Sequence, residues 1–207
     1  MEKAIIGVIG VFLYKYLPRW ITFLPLGISK VIVCIAMIIG YLIYDQKLQK
    51  DLRKKFSHIK FFILGIGLWL VQTILMSVIL TLIYYISGYQ VSFNSGEFIA
   101  MAPCLYSLIA IIFGPITEEF LFRGLIQDGL AELSGKKGWK IFAIILTSIF
   151  FGCLHQIPAQ RISAMITGCV FGVIYEKKKD IRYGCMLHIG NNFMATVLSY
   201  MFAGFIL

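Results

Sequence analysis

The chain has 207 residues, of which 59% are hydrophobic and 14% charged, with a net charge of +9 and a mean hydropathy of +0.86. A soluble domain carries about 45–50% apolar and about 25% charged residues, and a globule of this size leaves much of its surface in water. The composition therefore excludes a soluble enzyme, a disulfide scaffold, a disordered tail and a nucleic-acid-binding domain, and it calls for a bilayer.

A helix needs about 20 apolar residues to cross the hydrocarbon core. Seven runs qualify or come close: 4–17, 20–44, 61–86, 98–123, 140–156, 161–176 and 183–207. The first follows Lys3 and superficially resembles a signal peptide, but it has no small-x-small cleavage site, so it reads as a retained helix. Lys30 interrupts the second run and is expensive there unless it snorkels or pairs; the sequence offers it no partner. The break from Asp45 to Lys60 holds six basic residues and reads as an amphipathic helix on anionic lipid. The third run, from Phe61 to Ile86, has no charge at all, and the following segment Ser87 to Glu97 has no Lys or Arg.

Further basic breaks lie at Lys136 to Lys140 and at Lys177 to Arg182. Placing all three basic breaks on the cytoplasmic side satisfies the positive-inside rule, with the N-terminus inside and the C-terminus outside. No run alternates as the strands of a membrane barrel do. Gly168 and Gly172 form a GxxxG spacing suited to close helix packing. Asp128 and Glu132 read as an exposed continuation of the fourth helix. The five scattered cysteines make no CxxC pair and no disulfide framework. The expectation is an all-α, polytopic helical membrane protein of about seven transmembrane helices. It forms one domain over 1–207, with N-terminal spans and a basic loop over 1–97 and a motif-bearing core over 98–207.

Ionisable residues inside such spans mark function by default. Glu118 and Glu119 are adjacent carboxylates in an apolar run. Glu119 and Arg123 are four apart, share a helix face and suit an ion pair. Glu118 points about 100° away and stays free of that pair. Desolvation suits a free carboxylate there to general-base work, whereas a purely structural Glu-Glu-Arg cluster is the competing reading. Phe151 and His155 are also four apart, so the ring can wall the imidazole. His188 and Asn192 repeat that spacing and suit an oxyanion site or an inter-helix hydrogen bond; Asn191 is rotated away from both.

Taken in order, Glu118-Glu119-x-x-x-Arg123, Phe151-x-x-x-His155 and His188-x-x-x-Asn192 resemble the CPBP family, also called Abi, of CAAX proteases and bacteriocin-processing or immunity proteins. The resemblance covers roughly residues 98–200. It implies an intramembrane endopeptidase with its active site inside the helix bundle. Glu118 would be the base, His155 its partner, His188 and Asn192 the oxyanion donors, and Glu119, Arg123 and Phe151 structural support. It implies a peptide or protein substrate, such as a bacteriocin, a signalling peptide or a membrane-proximal tail. It also implies residence in membrane lipid, of a bacterial cytoplasmic membrane, with the site between midplane and cytoplasmic side. No cofactor is expected. Zinc held by Glu118, His155 and His188 is the alternative, since one Glu and two His also form a catalytic zinc set. The other functional class is a non-catalytic immunity protein or a regulator, with a sensor kinase or a peptide exporter as partner.

One measure does not close. His155 lies about 22 Å along a straight helix from Lys140, whereas His188 lies about 12 Å from Asp180. Their depths should agree if they share a site.

Overall fold

The computed structural model describes residues 1–52, 56, 58–88, 103–134 and 136–203. All secondary structure among them is helical. In chain order, α1 is Glu2–Trp20, α2 Leu26–Tyr44, α3 the short Gln46–Asp51 and α4 His58–Ser87. An unbroken helix, α5, runs over 103–131, followed by α6 (Lys137–Cys153), α7 (Pro158–Lys178) and α8 (Ile181–Ala203). Two of these, α2 and α4, are by length and composition apolar enough to cross a membrane. Most of the segment Ser87 to Glu97, expected outside, and the start of the run 98–123 lie outside the described residues.

The apolar outer faces explain the composition. Ile5, Val8, Ile9 and Phe12 on α1 are exposed, as are Ile28, Ile32, Ile35 and Ile39 on α2 and Ile141, Phe142, Ile145 and Ile149 on α6. Rows of large aliphatic side chains at three- and four-residue spacing would be an aggregation surface in water and are a lipid-facing surface in a membrane. The protein is a helical membrane protein.

At the centre stands α5, which changes its winding twice. Ile109–Phe113 and Phe120–Gln127 are π-helical, and Gly114–Glu119 between them is α-helical. Pro115 causes the first change: it has no N–H to donate and its ring crowds the preceding turn, so the helix widens instead of breaking. The Gly114 N–H reaches back to the Ile109 carbonyl. Ala110 then has neither donor for its carbonyl, because Gly114 is engaged with Ile109 and Pro115 has none. Every residue of the second π stretch is buried, covered by α1, α6, α7 and α8.

Around α5, α6 pairs with α7, α1 lies against the π stretch and α2, and α8 packs along α4. The α4–α8 crossing is set by Gly65 and Gly190. A Cβ at Gly65 would lie 2.1 Å from the Leu187 carbonyl oxygen, and one at Gly190 2.1 Å from that of Phe62. Only glycine permits that approach. The expected helix in the basic loop forms as α3 over six residues, with the Asp45 carboxylate capping the Leu48 N–H at 3.0 Å; Arg53 to Lys55 and Ser57 lie outside the described residues. Asp128 continues α5 and Glu132 follows its last residue; both pair with Lys3, and Asp128 also meets Lys179 at 3.5 Å.

Candidate active site

The polar residues of α5 and α8 meet in the interior. Glu119 and Arg123 are 0% and 1% exposed, and Arg123 Nη1 lies 3.2 Å from Glu119 Oε1. Arg123 Nη2 donates to the Gly168 carbonyl at 3.0 Å. Its guanidinium carbon lies 5.0, 5.5 and 6.0 Å from the ring centroids of Phe151, Phe171 and Phe122. A delocalised, weakly hydrated cation suits such an aromatic cage, where an ammonium would be poorly served. One turn on, the buried Gln127 donates from Nε2 to the Gly172 carbonyl at 3.0 Å. The GxxxG stripe thus gives α5 two carbonyls to dock on, besides bringing Gly168 against Ser148 of α6.

His188 of α8 joins the two glutamates. Its Nδ1 is 3.1 Å from Glu119 Oε1 and its Nε2 is 3.7 Å from Glu118 Oε2. The Phe151 ring meets the imidazole edge-on, with centroids 5.8 Å apart, and Phe171 flanks it at 5.0 Å. A Cβ at Gly184, one turn before His188, would lie 2.5 Å from Glu119 Oε2, so glycine there lets the carboxylate sit against α8. Glu118, with its side chain 20% exposed, accepts a hydrogen bond from Tyr14 of α1 at 3.0 Å.

His155 stands apart. Helix α6 ends at Cys153, and His155 lies in the turn that follows. Its Nδ1 is 3.1 Å from the Phe151 carbonyl oxygen, and its own carbonyl accepts from Arg161 Nε at 2.7 Å. Among the described residues it makes no bond to Glu118, whose carboxylate partners are Tyr14 and His188. Phe151 touches both histidines, centroid to centroid at 5.1 Å for His155. The unequal depths computed along straight helices correspond to this placement off the helix end.

Asn192 Nδ2 donates at 2.9 Å to the Ala110 carbonyl, the one that the π turn and Pro115 leave without a backbone donor. Asn191, expected to point away from both, is buried and donates to Asn192 Oδ1 at 3.2 Å. Sequence reasoning also missed Tyr14, Gln127, Phe171 and Gly184. Gln127 had a signal, being a polar residue four after Arg123 in an apolar run; Tyr14 had none. Lys30, without a partner in the sequence, has its Nζ 5.5 Å from the Tyr14 ring centroid.

Of the three residues of the zinc alternative, Glu118 and His188 come together and His155 does not join them. Among the described residues no three His, Cys, Asp or Glu are grouped so as to hold a metal ion. The donor set does not fit zinc in this arrangement.

The interior centre thus gathers Glu118, Glu119, Arg123 and His188, with His155 outside it rather than beside Glu118 as expected. Residues 100–194, just under half of the chain, match the family described as type II CAAX prenyl endopeptidase Rce1-like, in keeping with the resemblance to the CPBP proteins that the motifs carry. It is 30% identical over 141 residues to the membrane-embedded CAAX protease MroQ of Staphylococcus aureus (strain USA300), an alignment covering 63% of this chain and 53% of that one. It is 27% identical over 94 residues to YdiL of Bacillus subtilis (strain 168), whose name assigns it provisionally to the membrane peptidases; 45% of this chain and 37% of that one are covered. The chain thus spans about half the length of the first relative and less of the second. No solved structure matches it.

Proposed function

We propose that the chain is an intramembrane endopeptidase of the CAAX-protease type that hydrolyses a peptide bond with water activated at Glu118. The observation that carries this reading is the inequality of the two adjacent carboxylates. Glu119 is fully buried and spent on Arg123 and His188, whereas Glu118 is 20% exposed and has Oε2 directed at His188 Nε2. A base must be reachable by water and substrate; a brace must not be. The names of the family and of MroQ support the same reaction class.

Glu118 takes a proton from water, and the oxygen attacks the substrate carbonyl carbon as the carbonyl electron pair moves onto its oxygen. His188, whose Nε2 faces Glu118, and the second N–H of the Asn192 amide are the donors to that oxyanion. Collapse of the tetrahedral species breaks the C–N bond, and the leaving amine takes the proton from Glu118. His155 is the family's partner for the glutamate; it would approach from the far edge of Phe151. The reaction needs no metal in this reading.

In the same proposal α1, α2, α4, α5, α6, α7 and α8 cross a bacterial cytoplasmic membrane, with the basic breaks inside and the site between midplane and cytoplasmic side. Candidate substrates are prenylated or membrane-proximal tails and bacteriocin or signalling-peptide precursors. The test is cleavage of internally quenched peptides, farnesylated and not, by the purified protein in liposomes. Cleavage by wild type that is lost in Glu118→Gln supports the reading. Equal cleavage by that variant refutes it, and a folded wild type inert towards the whole panel favours the immunity or regulator class.

A further inference from the structure

The family match begins at residue 100, yet a side chain from the first helix touches the candidate base. Tyr14 of α1 donates its hydroxyl to Glu118 Oε1 at 3.0 Å. The contact is built from several sides. Gly114 lies beside the hydroxyl, where a Cβ would be in ordinary contact with the Tyr14 oxygen at 3.4 Å. Lys30 of α2 stands over the other end of the interaction, 5.5 Å from the ring centroid. A cation on the face of a phenol strengthens its O–H as a donor. Lys30 is costly in an apolar helix, and the ring gives it a place.

We infer that Tyr14 is a positioning residue for the reaction: it pins Glu118 Oε1 so that Oε2 alone is aimed at the His188 side of the site. A carboxylate on three rotatable side-chain bonds loses rate if it must find its orientation in each turnover, and one fixed hydrogen bond restricts that freedom. Among the described residues the side chains that meet the Glu118 carboxylate are Tyr14 from α1 and His188 from α8, with Cys34 of α2 close enough to feel its charge. Tyr14 lies on the Oε1 side, opposite the oxygen that faces His188, and substrate chemistry leaves its phenol unchanged. This inference rests on the proposed function, and it adds that the N-terminal helix completes a site whose motifs all lie after residue 100.

The test compares wild type, Tyr14→Phe, Tyr14→Leu and Glu118→Gln as full-length proteins in liposomes, with the internally quenched farnesylated and unprenylated peptides as probes. Tyr14→Phe should lower kcat about tenfold, as expected for losing a hydrogen bond to a charged group, with KM within about twofold and a small but measurable fall in thermal midpoint. Tyr14→Leu should be no better than Tyr14→Phe. If Glu118→Gln is inactive while Tyr14→Phe keeps wild-type kcat, the positioning role is wrong and the peptidase reading stands. If Glu118→Gln cleaves normally, both fall. A thermal double-mutant cycle of Tyr14→Phe with Glu118→Ala decides the contact without any substrate: the hydroxyl's effect should vanish when the carboxylate is absent, and strictly additive shifts would overturn the inference.

Discussion

Glu119 and His188 are joined at 3.1 Å across 69 residues of sequence, so the first and third motifs form one buried bond. The bond fixes the ring: with Nδ1 directed at Glu119, Nε2 faces Glu118. It also divides labour between the neighbouring glutamates, and the two should fail differently. Glu119→Gln leaves Arg123 charged, caged and unpaired, which costs about 3–5 kcal/mol and should appear as a large fall in thermal midpoint in detergent. Glu118→Gln should abolish cleavage with little change in that midpoint.

The two histidines should separate in the same way. His188→Gln breaks a buried bond to a carboxylate, worth about 1.5–3 kcal/mol, so both stability and activity should fall. His155→Gln changes a residue outside the helices, and its thermal midpoint should stay near wild type. Any loss of cleavage in that variant then measures a catalytic part for His155; a stability loss equal to that of His188→Gln would contradict the geometry.

Arg123→Lys keeps the charge but loses the planar contact with three rings and the directed bond to the Gly168 carbonyl. We expect about 2–3 kcal/mol of destabilisation, read from thermal or denaturant unfolding in detergent. A variant as stable as wild type would show that the cage is indifferent to guanidinium shape.

Glycines offer a graded test of the packing. Gly190→Ala drives a methyl into the Phe62 carbonyl, which is backbone and cannot step aside, and should cost about 3 kcal/mol. Gly184→Ala meets the end of the Glu119 side chain, so a smaller loss of about 1–2 kcal/mol should come with a larger loss of activity. Gly67→Ala has nothing within 4 Å and should fold as wild type does. Thermal midpoints of the three variants rank them.

Cleavage should be unchanged by excess chelator. Loss on chelation with recovery on adding zinc would show that His155 moves in to complete a Glu-His-His set, and the metal-free step would be withdrawn.

What the sequence determined by itself is local. Apolar runs longer than a bilayer is thick fix helices, because backbone N–H and C=O groups in lipid must be satisfied within the segment. The pairing of Glu119 with Arg123 needs only the helical repeat, and the ordered motifs carry the family. The tertiary structure decided which helices bring their polar groups to one depth. Helices such as α4 are apolar all round, so no face signal gives their rotation, and a straight-helix ruler cannot foresee that α6 stops before His155. The π turn at Pro115 regroups the side chains of α5 and frees the Ala110 carbonyl that Asn192 takes. Tyr14 reaches Glu118 across 104 residues because α1 packs beside α5. Contacts of that kind depend on rotation and depth of whole helices, which neighbouring residues in the chain do not record.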